Sequence, residues 1–146
     1  MHQSIAREML KRHEGLRLTV YDCPAGKKTI GYGRNLEDRG ITRDEANILL
    51  TNDITEIEQR LRANFDFYTN LDDIRKAALI NLAFNLGMTG LKSFKKMLKA
   101  LQEGDYTEAA KQLLDSRYAT QVPNRAKELA LLIKGENGRV NNYGSA

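Results

Sequence analysis

The sequence of 146 residues contains little cysteine, proline or histidine and no tryptophan. The single cysteine, Cys23, excludes an intramolecular disulfide and a cysteine-based zinc site. The two histidines, His2 and His13, are too few and too isolated to predict a metal site, and we expect no cofactor. No apolar run approaches the roughly twenty residues that a membrane-spanning helix needs, and the polar first residues do not resemble a secretory signal.

The chain does have enough apolar sequence for a folded core and a small excess of positive charge. Hydrophobic residues make up 41%, and 23 Lys and Arg against 19 Asp and Glu give a net charge of +4. A chain of this length buries about two thirds of its unfolded surface as one folding unit. The positive charge favours an anionic partner, without choosing among nucleic acid, a membrane surface and a bacterial cell wall.

The apolar pattern changes along the chain and predicts an α+β fold. A helix capped by Ser4 is expected to end near Gly15. Alternating apolar residues at 16, 18 and 20 are typical of a half-buried strand. Turn residues at 22–26 and a return strand at 29–33 complete an antiparallel hairpin.

Helical periodicity dominates after Gly40. A capping box, Thr42 with Glu45, opens a long helix that we expect to run to about Ala63. The helices predicted after it cover residues 72–86, 93–102, 105–115 and 123–134, of which the third begins with a second capping box, Asp105 with Glu108. The last eleven residues, 136–146, are expected to form a loose tail.

Glu14 is the first candidate for chemistry. It stands between the opening helix and the hairpin, where a carboxylate can point into a groove between sheet and helical bundle. Partial desolvation there raises the pKa of a carboxyl group and suits a general acid. The alternative is an exposed acidic residue at a helix C-terminus.

Cys23 and Thr29 follow at spacings of nine and six positions, in the hairpin turn and on the return strand. A thiol beside Lys27 and Lys28 can have a lowered pKa and be reactive. The alternatives are an inert lone cysteine and, for Thr29, a residue that simply favours a strand.

A group of lysines around Phe94 is the pattern nearest to a nucleic-acid surface. The lysines are Lys92, Lys95, Lys96 and Lys99. A solvated helix face accounts for them, and no phosphate-binding glycine motif is present. We therefore expect no nucleic-acid partner.

Glu14, Cys23 and Thr29 together resemble the opening motif of the phage-type lysozymes, the endolysin muramidase family typified by the T-even coliphage enzyme. That family has Glu, eight residues, Asp or Cys, five residues and then Thr, and these three residues fit the spacing without a gap. Residues 77–87 and 121–126 are similar to two further signatures of the family, in the right order. The resemblance covers residues 5–134.

The resemblance implies one lysozyme-like domain, residues 1–146, built as two lobes. The small lobe with its hairpin sheet takes residues 14–41, and residues 42–63 form the connecting helix. The helical lobe takes residues 64–135 together with 1–13.

The resemblance also implies an activity. It is hydrolysis of the β-1,4 bond between N-acetylmuramic acid and N-acetylglucosamine in peptidoglycan, which lyses the host cell. Glu14 is implied as general acid, with Cys23 and Thr29 positioning or activating the water. Because most relatives have Asp at the position of Cys23, the thiol stays open as base, nucleophile or spectator, and Asp22 is a reserve candidate. Inversion or retention is open as well.

Further implications concern substrate contacts and partners. The implied substrate-binding residues are Asn35, Phe84, Asn85, Met97, Gln112 and Arg125. Arg125 matches a basic residue of the family that can pair with the catalytic acid, here Glu14, and the alternative is an arginine on a helix surface. Met97 stands where the T-even enzyme has a hydroxylic residue. The resemblance implies a monomer that acts on peptidoglycan, without stable membrane association, in the host cytoplasm until it is released to the wall. The alternatives are a non-catalytic peptidoglycan-binding relative and a virion-associated entry lysozyme.

Overall fold

The fold is mostly helical with one small sheet, as a computed structural model of the chain describes it for residues 1–135. The predicted loose tail, 136–146, lies outside the described residues. Within residues 1–135 there are eight α-helices, one short 3-10 helix and three antiparallel strands. The α+β class predicted from the sequence is confirmed.

The elements follow one another without a repeat. They are α1 (His2–Glu14), β1 (Arg17–Asp22), β2 (Lys28–Gly31), β3 (Arg34–Asn35), α2 (Leu36–Arg39), α3 (Arg43–Asn64), the 3-10 helix (Asp66–Asn70), α4 (Asp73–Lys92), α5 (Lys95–Gln102), α6 (Tyr106–Leu114), α7 (Arg117–Gln121) and α8 (Pro123–Lys134).

The chain divides into two compact units, Met1–Leu49 and Leu50–Ala146. The first contains α1, the sheet, α2 and the start of α3, and the second contains the remaining helices. This division places residues 1–13 in the first unit, whereas the lobes implied by the resemblance place them with the helical lobe. The division into lobes stays a prediction.

The sheet of the first unit has the strand order β1-β2-β3, with β2 at its centre. On β1, Tyr21 pairs with Thr29 and Asp22 pairs with Lys28, while Thr29 also pairs with Asn35 of β3. The predicted hairpin is therefore present. The third strand and the four-residue helix α2 were not predicted.

The long helix α3 begins as its sequence predicts. The Thr42 hydroxyl accepts a hydrogen bond from the Glu45 N–H at 3.1 Å, and the Glu45 carboxylate accepts one from the Thr42 N–H at 2.8 Å. In contrast, the predicted cap at Ser4 is wrong, because α1 already begins at His2.

In the second unit one glycine interrupts a helix and another ends one. At Gly87 the backbone leaves the helical region, with φ 73° and ψ 169°, and the chain then resumes helical turns to Lys92. The predicted stop at Gly87 is therefore a break within α4. Pro123 opens α8 and Gly135 closes it in the left-handed conformation, both as predicted.

The hydrophobic core lies in the second unit. Every buried apolar side chain among the described residues comes from residue 61 or later. Leu79 and Leu82 of α4, Leu113 of α6 and Leu129 and Ile133 of α8 are all at most 2% exposed. The candidate substrate-binding residues of the second unit therefore lie on helices that pack around this core.

Candidate active site

Glu14 is the last residue of α1, and its side chain lies over the turn between β2 and β3. A Cβ atom at Gly33 would stand 3.1 Å from the Glu14 Oε2 atom and 3.2 Å from its Cδ atom. Glycine suits position 33 for two reasons: its φ of +82° lies in the left-handed region, and a side chain there would crowd the Glu14 carboxylate. The expectation of partial burial is wrong, because Glu14 is exposed.

Cys23 stands in the tight turn that joins β1 to β2. Its backbone N–H donates to the Lys27 carbonyl at 3.0 Å, and its carbonyl accepts from the Gly26 N–H at 2.7 Å. The thiol is free and half-buried. The Lys27 backbone N–H is the largest cause that lowers the pKa of the Cys23 thiol, and desolvation opposes it. The Ala25 N–H, the Thr29 hydroxyl and the Gly26 N–H lower this pKa further.

The cause of this pKa shift differs from the one expected. The sequence suggested that the charges of Lys27 and Lys28 lower the thiol pKa. However, the Lys28 ammonium lies 2.7 Å from Asp22. The Lys27 ammonium lies 3.6 Å from Glu37 and 3.4 Å from Asp38. Hydrogen bonds from the turn, rather than lysine charges, lower the thiol pKa.

Thr29 lies on the central strand and is only 2% exposed. Its hydroxyl donates to the Lys27 carbonyl at 2.8 Å. The register places Tyr21 and Asn35 beside it, on the same face of the sheet. The neighbouring pair, Asp22 with Lys28, belongs to the opposite face. Asp22 therefore does not share the face of Thr29.

A carboxylate, a thiol and a buried hydroxyl thus lie on or next to β2 in the first unit, the carboxylate and the thiol at its opposite ends. Glu14 contacts the β2–β3 turn, Cys23 stands in the β1–β2 turn, and Thr29 lies on the strand between them. A carboxyl group can protonate a leaving oxygen, and a thiolate can accept a proton or attack a carbon atom.

Asn35 is held by the start of α2. Its amide oxygen accepts from the Asp38 N–H at 3.0 Å, and its amide nitrogen donates to the Asp38 carboxylate at 3.1 Å. A sugar would meet an amide already fixed by this cap. The substrate contact at Asn35 stays a prediction.

In the second unit, Phe84 and Arg125 line an open cavity of about 350 Å³. The Arg125 Nε–H donates to the Asn81 amide oxygen at 2.9 Å, which fixes the guanidinium at the wall of the cavity. Asn85, the next residue of α4, is exposed. Pairing of Arg125 with Glu14 stays a prediction.

Met97 and Gln112 line a second cavity of about 320 Å³, between α5 and α6. Met97 is 1% exposed, so its side chain forms the floor. The Gln112 amide donates to the Glu108 carboxylate at 2.8 Å, and Lys95 and Lys96 stand at the rim. An apolar floor with polar groups, two lysines and the Asp115 carboxylate around it suits a polar ligand.

Comparison with known proteins decides the family. The family model described as phage lysozyme matches residues 11–134. A probable T4-type lysozyme 1 of Dictyostelium discoideum is 31% identical over 96% of this chain and 98% of its own length. The chain belongs to the phage lysozyme family.

Two further relatives are an endolysin and a pre-baseplate central spike protein. The endolysin of Acyrthosiphon pisum secondary endosymbiont phage 1 is 36% identical over 73% of each chain. The pre-baseplate central spike protein Gp5 of Enterobacteria phage T4 is 28% identical over 94% of this chain but only 28% of its own length.

The sequence did not predict two contacts that the structure shows. Arg34 makes a bidentate pair with Glu45, at 2.7 Å for each bond, which the sequence did not predict. Arg34 also holds the Glu45 carboxylate so that the pKa of Glu45 falls to about 2. Asn81 lies within the signature at residues 77–87, and nothing in the sequence showed that its amide oxygen binds Arg125.

Two features were searched for in the part of the chain that the structure describes and were not found there. Residues 1–135 contain no group of three His, Cys, Asp or Glu side chains suited to a metal ion. Over the same residues, no helix is both long and apolar enough to cross a bilayer.

Proposed function

We propose that this phage lysozyme hydrolyses the β-1,4 bond between N-acetylmuramic acid and N-acetylglucosamine in bacterial peptidoglycan. The observation that carries the proposal is the family match over residues 11–134. That match includes the three positions Glu14, Cys23 and Thr29. Their grouping around β2 supports it, since glycoside hydrolysis needs an acid and a second group that directs water or traps the sugar.

Glu14 acts as the general acid. In its protonated form it donates the carboxyl proton to the glycosidic oxygen while the bond from that oxygen to the anomeric carbon breaks. Its exposure leaves the carboxyl group accessible to a long polymer.

Cys23 acts as the general base. The thiolate accepts a proton from a water molecule whose oxygen bonds to the anomeric carbon, so the carbon inverts its configuration. Glu14 then regains a proton from solvent, and the thiol releases one. The lowered pKa of the Cys23 thiol supports this role, since a thiol with an ordinary pKa is mostly neutral at pH 7.

The second unit supplies binding residues for the glycan. We assign substrate contacts to the two cavities described above, one lined by Phe84 and Arg125 and the other by Met97 and Gln112. Asn35 and Asn85 complete the set. The net charge of +4 supports attraction to the anionic wall. The protein acts as a monomer, without stable membrane association and without a nucleic-acid partner.

The protein acts as an endolysin that stays in the host cytoplasm until it is released to the wall. A relative that bears the name endolysin supports this role. A virion-associated entry lysozyme is the second candidate, supported by similarity to a pre-baseplate central spike protein. Antibody detection of the protein in purified virions would favour the second candidate.

The deciding experiment compares the native protein with Glu14→Gln on purified peptidoglycan. We expect the native protein to release muropeptides with a reducing N-acetylmuramic acid end, detected by mass spectrometry, and Glu14→Gln to release almost none. Glu8→Gln is the matched control, because Glu8 lies on the same helix and makes only an exposed ion pair with Lys11 at 3.9 Å. Equal activity of Glu14→Gln would contradict the assignment of the acid.

A binding assay distinguishes the non-catalytic alternative. If the native protein sediments with peptidoglycan but releases no muropeptide, the chain is a wall-binding relative. In that case Cys23→Asp is expected to restore cleavage.

A further inference from the structure

The turn between β2 and β3, which lies against Glu14, has no apolar core to hold it. No apolar side chain of residues 1–60 is buried. Gly31 and Gly33 flank the turn with φ values of +72° and +82°, and glycine restrains its own backbone less than any other residue. On one side, Gly31 and Tyr32 line an open cavity of about 600 Å³. Polar contacts must therefore fix the position of this turn.

Arg34, the first residue after the turn, anchors it to the helices that follow. β3 consists of Arg34 and Asn35 alone, so backbone pairing holds it over only two residues. The Arg34 guanidinium donates to the two oxygens of the Glu45 carboxylate at 2.7 Å each and to the Gly40 carbonyl at 3.2 Å. Two-point pairing of this kind fixes direction as well as distance. Arg34 therefore joins the turn to the start of α3 and to the end of α2.

On its other side the turn meets α1. The Lys11 ammonium lies over the Tyr32 ring, 5.7 Å from its centre, and the Glu14 carboxylate lies against Gly33. A cation above an aromatic ring at an exposed site is attracted only weakly. The charge-assisted hydrogen bonds of Arg34 are therefore the strong contacts that hold the turn.

We infer that Arg34 is a positioning residue for Glu14. Its pairing with Glu45 holds the turn in a fixed place, and the turn gives the Glu14 carboxyl group a surface at Gly33. Arg34 moves no proton and acts only through the turn. When its guanidinium is removed, the turn shifts and the carboxyl group loses the contact that fixes its direction.

This inference rests on the proposed function only where it takes Glu14 as the acid. The contact itself is measurable without substrate. A Cβ atom at Gly33 would stand 3.3 Å from the Glu14 Cγ atom, and one Gly33 α-proton points in that direction. We expect the native protein to show a nuclear Overhauser effect between this proton and the Glu14 γ-protons, which reports the position of the turn.

Three variants test the anchor by this signal. Arg34→Gln removes the charge and the two-point pairing, whereas Arg34→Lys keeps the charge without the planar pair of donors. Arg60→Gln is the matched control, since Arg60 pairs with Glu56 at 2.6 Å farther along α3, outside the first unit. We expect the signal to be lost in Arg34→Gln, weakened in Arg34→Lys and unchanged in Arg60→Gln.

Kinetics on soluble, uncross-linked peptidoglycan chains is the second measurement. We expect Arg34→Gln to lower kcat per mole of folded protein about tenfold, the effect of a shift of about 0.5 Å on a scale of about a hundredfold for 1 Å. KM should stay near the native value, and Arg34→Lys should recover part of the rate. A purely structural role would lower the folded fraction, measured by circular dichroism, and leave the rate per mole of folded protein unchanged.

Glu45→Gln tests the same contact from the opposite partner. It leaves β3 untouched, and a glutamine can still close the capping box with Thr42. We expect kcat to fall severalfold, and the double variant with Arg34→Gln to be no slower than Arg34→Gln alone, since both changes remove one contact. If Arg34→Gln does not fold, Arg34→Lys replaces it in every comparison.

Each outcome decides a separate question. An unchanged Overhauser effect in folded Arg34→Gln overturns the inference. Loss of the Overhauser effect with an unchanged kcat also overturns it, because the turn then moves without consequence for the acid. Loss of the Overhauser effect in Arg34→Gln, beside a native protein that cleaves no peptidoglycan, supports the anchor and contradicts the proposed function.

Discussion

Replacing Gly33 by alanine should reduce activity through Glu14, by more than its effect on stability explains. The new Cβ atom would lie 3.1 Å from the Glu14 Oε2 atom, whereas ordinary contacts begin at 3.4 Å, so the carboxylate must move by about 0.3 Å. A displacement of about 1 Å in an active site costs roughly a hundredfold in rate. By this scale, a displacement of about 0.3 Å reduces the rate about fourfold.

Gly31→Ala supplies the matched control. Gly31 has a similar positive φ of +72°, but a Cβ atom there would meet nothing within 4 Å. Both substitutions place alanine in a left-handed conformation, which costs about 1–2 kcal/mol of stability in each case. Only the alanine at position 33 places an atom in close contact with the Glu14 carboxylate.

The measurement is the initial rate of clearing of permeabilised bacterial cells, per mole of folded protein, together with urea unfolding. We expect similar unfolding midpoints for the two variants and an about fourfold lower rate for Gly33→Ala alone. Equal rates for the two variants would refute the reasoning, because the carboxylate would then move aside without consequence for the reaction.

Three other predictions concern stability. Arg75→Ala should lower the free energy of unfolding by about 2–3 kcal/mol, because Arg75 donates to the last two carbonyls of α8 at 2.7 and 3.2 Å. Thermal denaturation measures this loss, and Arg75→Lys should restore only part of the lost free energy. Tyr118→Phe should raise the free energy of unfolding by about 1 kcal/mol in urea, because the Tyr118 hydroxyl is buried without a partner among the described residues. The Glu45 pKa, lowered from 4.5 to about 2, means that Glu45 stabilises the fold above pH 4.5 and that this contribution is lost as the pH falls towards 2. Glu45→Gln should therefore unfold at lower temperature than native protein at pH 7, and the difference should shrink at pH 2.

Local signals in the sequence predicted the fold well where a few adjacent residues decide the outcome. The capping box of Thr42 with Glu45 and the pair of Pro123 and Gly135 act within one helical turn, so their effect is visible in the sequence. Helix α2 was missed because four residues are too short to show a period. The cap at Ser4 was wrong because a favourable cap residue does not prevent a helix from starting earlier.

In the candidate site, too, features set by neighbouring residues were predictable and tertiary contacts were not. The spacing of Glu14, Cys23 and Thr29 was visible because it is fixed along the chain. The bidentate pair of Arg34 with Glu45 joins residues eleven positions apart and depends on how the chain folds between them. Predicting the pKa of the thiol from neighbouring lysines gave the right direction for the wrong reason, since the pairing of each lysine is a tertiary feature.

The turn around Cys23 gives a physical reason why a family pattern can allow either Asp or Cys at this position. The Ala25, Gly26 and Lys27 donors are peptide N–H groups, so they remain in place whichever side chain stands at position 23. Such donors stabilise a carboxylate and a thiolate alike, since both are anions. A carboxylate is ionised at neutral pH without their help, whereas a thiol depends on them. Exchanging Asp for Cys therefore keeps an anion at the same place, while making its charge depend on the hydrogen bonds of the turn and on Thr29.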